Sequence, residues 1–197
     1  MSESHMVSPV RERQAATMAT GVSPEHTSVP RWAAQPPEVD GSGRRFLVLS
    51  CGEAAWSVAE RWSEEITALG RPSWGCHFDE PPMGAGDEWL QPLRRHLERA
   101  RVGTRLMVAG PELEVLDVIR TAHAAGAVDA ELRCWVSEDE LRRVQCPHCH
   151  AHTVARVAVG GTTDCAGCGR SLLVYHHVSR RYGAYLGFMA DAEEPGR

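Results

Sequence analysis

Two Cys-x-x-Cys pairs constrain this chain more than any other feature: Cys146-Pro-His-Cys149 and Cys165-Ala-Gly-Cys168, with fifteen residues between them. Each pair puts two sulfurs on one side of a tight turn, and Gly169 relieves the backbone after the second. Two such turns closing on one ion give the tetrahedral four-thiolate shell that zinc prefers. No apolar stretch with a cleavage site opens the sequence, so no secretory signal is expected and paired cysteines read as metal ligands before disulfides. Cys146, Cys149, Cys165 and Cys168 are therefore expected to hold one structural zinc. The same donor set suits a single iron of the rubredoxin kind, which carries one electron. A closed four-cysteine shell leaves no open coordination position, so hydrolysis at the metal is not expected. The intervening residues suffice for a two-stranded hairpin, with strand composition from Val154 to Val159 and a turn at Gly160-Gly161. That is the layout of a zinc ribbon.

Upstream, short apolar runs alternate with helical periodicity. Phe46-Leu47-Val48-Leu49 reads as a strand buried on both faces. Glu53 to Leu69 reads as a helix through Trp56, Ala59, Trp62, Ile66 and Leu69, stopping at Gly70. A strand over Pro72 to Phe78, a loop carrying Pro81, Pro82, Gly84 and Gly86, and a helix from Trp89 to Ala100 follow. Arg105 to Ala109 is a third strand. Gly110 breaks it, and Pro111 opens a helix that ends before Gly126. Leu132 to Val136 is a fourth strand, and Ser137 with Glu140 has capping-box spacing for a short helix leading to Cys146. The alternation predicts a small parallel, Rossmann- or flavodoxin-like α/β sandwich over residues 44–143, then a zinc-ribbon (rubredoxin-like) domain over 144–191 and an acidic tail over 192–197. Residues 1–43 are expected to form a disordered Pro/Gly-rich tail. Trp32 within it either anchors the tail in a groove or lies exposed.

The strand ends offer Ser50-Cys51-Gly52-Glu53, His77 to Glu80, and Ala109-Gly110-Pro111-Glu112, where ligands of such sheets bind. None forms a dinucleotide fingerprint or a serine nucleophile elbow. The strand-Gly-Pro-helix element is similar to the nicotinamide-binding half of ferredoxin reductases over a few residues. Glu53, Asp79 and Glu112 read as a solvated rim, and no catalytic residue is assigned. Cys51, Cys76 and Cys134 sit in or beside apolar runs and read as small core residues.

Composition removes further classes. All 21 basic residues are arginine, so neither a Schiff-base lysine nor a lysine-bearing phosphate loop can exist. A net charge of -5 argues against a dedicated nucleic-acid binder. No apolar run reaches the roughly 18 residues needed to cross a bilayer, so no membrane partner and a cytoplasmic location are expected. From 144 to 190, however, four arginines face one acid, Asp164. His176, His177, Arg180, Arg181, Tyr182 and Tyr185 fall within ten residues there and read as a partner-binding surface, since arginine and tyrosine are favoured at binding hot spots. His148, His150 and His152, beside the first pair, read as polar neighbours of the site.

The ribbon Cys-Pro-His-Cys…Cys-Ala-Gly-Cys-Gly-Arg followed by LLVYHHVSRRYGAYLGFMADAEE closely resembles the small subunit of bacterial dimethylamine monooxygenase, the DmmA-like family. The likeness runs from about Cys146 to Glu194. It implies partners: a haem-bearing oxidative N-demethylase subunit, and a reductase subunit with flavin (FMN) and an iron-sulfur cluster. Together these use NADPH and oxygen to turn dimethylamine into methylamine and formaldehyde. The sequence has no haem-attachment, flavin or dinucleotide motif of its own. The resemblance therefore implies an accessory, non-haem subunit that supports assembly, or one on the electron path if its metal is iron. A free-standing zinc-ribbon module binding nucleic acid is the alternative from another class.

Overall fold

The computed structural model describes residues 27–80 and 87–190. Its first half is a four-stranded, all-parallel sheet in which β1 (Arg45–Cys51), β2 (Ser73–Phe78), β3 (Thr104–Gly110) and β4 (Leu132–Val136) lie in the order β2-β1-β3-β4. Helices α1 (Glu53–Ala68), α2 (Gln91–Leu97) and α3 (Glu112–Ala124) connect them. Because side chains alternate across a strand, β1 feeds two cores. Phe46 and Val48 meet Ala55, Val58, Ala59, Trp62 and Ile66 of α1. Leu47, Leu49 and Cys51 turn to the other face, against Leu93 and Leu97 of α2 and Val115 and Val118 of α3. The continuous apolar run is explained by this double burial. Trp56 of α1 and Leu69, which caps its C-terminus, are exposed although they share the apolar spacing. The loop expected at residues 81–86 lies outside the described residues.

The second half is a five-stranded sheet: β5 (Leu141–Gln145), β6 (His152–Arg156), β7 (Thr162–Asp164), β8 (Ser171–Ser179) and β9 (Ala184–Met189), in the order β6-β5-β9-β8-β7. Two expectations are corrected here. The segment after Ser137 is not a helix; Leu141–Gln145 pairs antiparallel with β6 and parallel with β9. Val144, in the core beside Leu172 and Tyr185, and the ladder on both sides fix it as a strand, and these tertiary contacts override the local capping signal. Nor do the residues between the cysteine pairs form one hairpin. β6 and β7 lie at opposite edges of the sheet, each paired with a strand beyond its own cysteine turn. At the centre Gly187 is required by close approach, since a Cβ there would stand 2.9 Å from the Gln145 carbonyl oxygen.

Helix α3 is shared by both halves. Leu116 joins the core of Val144, Leu172, Val174, Val178 and Tyr185, while Val115 and Val118 belong to the parallel sheet. Arg143 of β5 grips Asp117 of α3 with two hydrogen bonds, at 2.6 and 2.8 Å. Residues 27–43 form no helix or strand, but they are no loose tail. Ser28 exchanges hydrogen bonds with the Val178 backbone, and Trp62 donates its indole N–H to the Pro37 carbonyl at 2.8 Å. Asp40 accepts from Arg105 at 2.6 Å. The earlier part of the expected tail, 1–26, and the acidic residues 192–197 lie outside the described residues.

Candidate metal centre

The four paired cysteines are brought together, with all their sulfurs within 4.8 Å of one another. Cys146 Sγ lies 3.8 Å from Cys168 Sγ, and Cys149 Sγ lies 3.5 Å from Cys165 Sγ. A tetrahedron with metal–sulfur bonds of about 2.3 Å has edges of about 3.8 Å, so the thiols fit a four-thiolate ion. Cys146 and Cys165 are buried, Cys168 is half-buried and Cys149 exposed. The Cys168 backbone N–H, and after it that of Gly167, bring the Cys165 thiol down to about 6, while Cys149, against the lowering hydrogen bond from the Ala151 backbone, is pushed up to about 12 beside the other three sulfurs. Thiolate is the form a metal takes.

Each cysteine turn is a hairpin tip, one joining β5 to β6 and the other β7 to β8, and the two repeat one hydrogen-bond pattern. The first cysteine of each donates its N–H to the carbonyl five residues on: Cys146 to Ala151 at 2.9 Å, Cys165 to Arg170 at 2.8 Å. Each also accepts from the residue four positions on, His150 and Gly169. Both of those residues adopt left-handed backbone, φ 63° and 70°. Gly169 suits that conformation and was recognisable from its type; His150 fills the equivalent place as the single non-glycine residue with positive φ among the described residues. Its Nδ1 lies 3.4 Å from Gln145 Nε2.

The residues expected at a partner surface are divided. His177, Arg180, Arg181 and Tyr182 are exposed, and His176 is half-buried. Arg180 pairs with Asp129 of the first half at 2.9 Å, and the Arg181 guanidinium stands 5.9 Å from the Tyr182 ring centroid. Tyr185 is corrected: it is only 1% exposed, and its hydroxyl donates to Glu112 at 2.9 Å. It faces the core because β9 runs at the sheet centre, between β5 and β8. Glu112 is no solvated rim acid either. Its Oε1 accepts from Tyr185 and, at 2.8 Å, from the Trp32 indole. Burial raises its carboxyl above the usual range, against the lowering effects of Trp32, Arg142 and Tyr185. Trp32 is thus anchored on its own fold, at the seam of the two halves. The other single cysteines are buried (Cys51) or half-buried (Cys76 and Cys134), and burial raises all three thiols.

A sheet carrying paired cysteine turns that converge on one four-sulfur site defines a small module able to hold a metal ion. Residues 143–188 match the family model for the dimethylamine monooxygenase subunit DmmA-like, C-terminal domain. Over that stretch the chain is similar to proteins of the DmmA-like family. A heme-dependent oxidative N-demethylase delta subunit from Ectopseudomonas mendocina (strain ymp) is 41% identical over 103 residues, which cover 52% of this chain and 58% of that subunit. The matched stretch therefore spans under two thirds of the relative's length. A phthalate dioxygenase reductase, described as a modular structure for electron transfer from pyridine nucleotides to [2Fe-2S], covers 65% of this chain and 48% of its own at 13% identity. Its TM-score is 0.37, too low to bear on fold or chemistry. Among the described residues no helix is long and apolar enough to cross a membrane.

Proposed function

We propose that this chain is an accessory, non-haem subunit of an oxidative N-demethylase complex acting on a secondary amine such as dimethylamine. Its place there is assembly or docking of a haem subunit and an NADPH-dependent flavin and iron-sulfur reductase subunit. The observation that carries the reading is the 41% identity to a delta subunit, over a stretch equal to half of this chain. The hard chemistry then sits on the partners' cofactors.

In this reading Cys146, Cys149, Cys165 and Cys168 hold one zinc, and the two knuckles with their hairpins make a zinc-ribbon (rubredoxin-like) unit. Four thiolates close the coordination shell, so zinc would supply cross-linking of the two turns rather than Lewis-acid chemistry. This chain's residues do the rest: α3 and the Trp32–Glu112–Tyr185 node hold the ribbon against the α/β half, which leaves His177, Arg181 and Tyr182 presented outward. An iron-loaded site would make the same unit an electron carrier within the complex. The second half as a nucleic-acid module is the competing reading.

Co-expression with the neighbouring subunits tests this. Tagged chain is expected to retain a haem protein through size exclusion, and Arg181→Ala with Tyr182→Ala is expected to weaken that retention at least tenfold while the circular dichroism spectrum is unchanged. Recovery of DNA or RNA with no haem protein would contradict the proposal.

A further inference from the structure

One polar cluster in the first half has no part in the metal centre. Helix α1 covers β1 and β3, whereas β2 is the sheet edge, and a groove of about 590 Å³ lies between that strand and the helix. Such a volume is in the range of small-molecule sites. Ser50 and His77 line it at the carboxyl ends of adjacent parallel strands, as do Trp56, Glu60 and Glu64 from α1. Gly75, one turn of the pleat before His77, keeps the floor open on the same face. The parallel register sets Ser50 directly beside His77.

The geometry is that of an activated hydroxyl. Ser50 Oγ lies 2.8 Å from His77 Nδ1, and His77 Nε2 lies 3.3 Å from Asp79 Oδ1. In the tautomer that carries its proton on Nε2, beside the exposed Asp79 carboxylate, Nδ1 keeps its lone pair and accepts the Ser50 O–H. The Trp56 ring, 4.6 Å from the imidazole centroid, holds the histidine from the groove side. Helix α1 begins three residues after Ser50, and no side chain caps its N-terminus. Its first-turn amides, those of Glu53 and Ala54, are donors for negative charge at the same strand end.

We propose that the α1–β2 groove is an acyl-transfer site in which Ser50 is the nucleophile, His77 its general base and Asp79 a positioning residue, acting on small uncharged carboxylic esters. Ser50 Oγ bonds to the ester carbonyl carbon as its proton passes to His77 Nδ1. The ester C–O bond then breaks, and the alcohol leaves with that proton. Water attacks the acyl-serine through the same histidine, so the net change is ester plus water to acid plus alcohol, with no oxidant or reductant. Glu60 and Glu64 on the groove wall repel anionic substrates, and Trp56 offers an apolar face to the acyl or alcohol group.

A fluorescent fluorophosphonate is the probe, applied to the purified full chain. Labelling of one serine per chain is expected, on the peptide containing Ser50. Ser50→Ala is expected to abolish it, and His77→Gln to slow it about a hundredfold or more. Asp79→Ala should slow labelling about tenfold without moving the thermal midpoint, since Asp79 is exposed and acts only through His77. Each variant's circular dichroism spectrum reports its fold, and Ser50→Ala removes one oxygen atom from a packed site. No labelling of folded wild type, or equal labelling of wild type and folded His77→Gln, would overturn the proposal.

Discussion

At the residue scale the metal turns carry an asymmetry. Gly169 and His150 occupy the same left-handed position in two otherwise matching hairpin tips, yet only glycine takes that conformation without strain. His150→Gly is therefore expected to stabilise the protein by up to about 1 kcal/mol and to leave metal content unchanged. Gly169→Ala should cost about 1 kcal/mol or more. Denaturant midpoints read both, and a destabilised His150→Gly would show that the Gln145 contact outweighs the strain. Tyr185 supplies a second test. Removal of its hydroxyl leaves Glu112 buried with one donor fewer, so Tyr185→Phe should cost about 1–3 kcal/mol without altering retention of a haem protein. Loss of retention at unchanged stability would return Tyr185 to the docking surface. The four cysteines could be read from spacing alone because metal turns have a local signature. Glu112, Tyr185 and Trp32 could not, since eighty residues separate Trp32 from Glu112 and only the packed fold joins them.

At the scale of elements, the parallel half followed its pattern closely because each strand and helix is specified by its own periodicity. The errors cluster where pairing decides. Leu141–Gln145 has a helix-start signal before it, but its hydrogen bonds go to β6 and β9, whose paired residues lie as much as 41 positions further along the chain. The segment 27–43 shows the converse, with turn-rich composition and no apolar period, yet fixed by single side chains. Asp40 is the clearest of these: hydrogen bonds from Ser42 and Arg105 hold its carboxyl well below the usual range. A depressed folded-state value contributes stability that is present above the unfolded value near 3.8 and is lost as pH falls below it. The stability gap between wild type and Asp40→Asn, open at pH 7, should therefore begin to narrow below about pH 4 and go on narrowing as pH falls toward the much lower folded value. A gap that stays constant from pH 7 to pH 3 would show that the carboxylate charge is not what fixes the segment.

At the scale of the whole molecule, α3 joins a parallel sheet to a cysteine-tipped mixed one, and Glu112 at its start ties both to the N-terminal segment. The strand ends were legible as a place for ligands, but the sequence showed only separate short stretches there. The parallel register of β1 and β2 is what sets Ser50 against His77. In the proposed function the four-sulfur site is a zinc-held platform for the partner subunits. Elemental analysis with an absorption spectrum, on protein purified with its partner subunits and then on the isolated chain, tests it most directly. One zinc per chain and no visible band from the isolated chain is the predicted result, with metal lost in Cys146→Ser and Cys165→Ser. A red chain containing one iron that bleaches on reduction, or a folded chain with no metal, would contradict it.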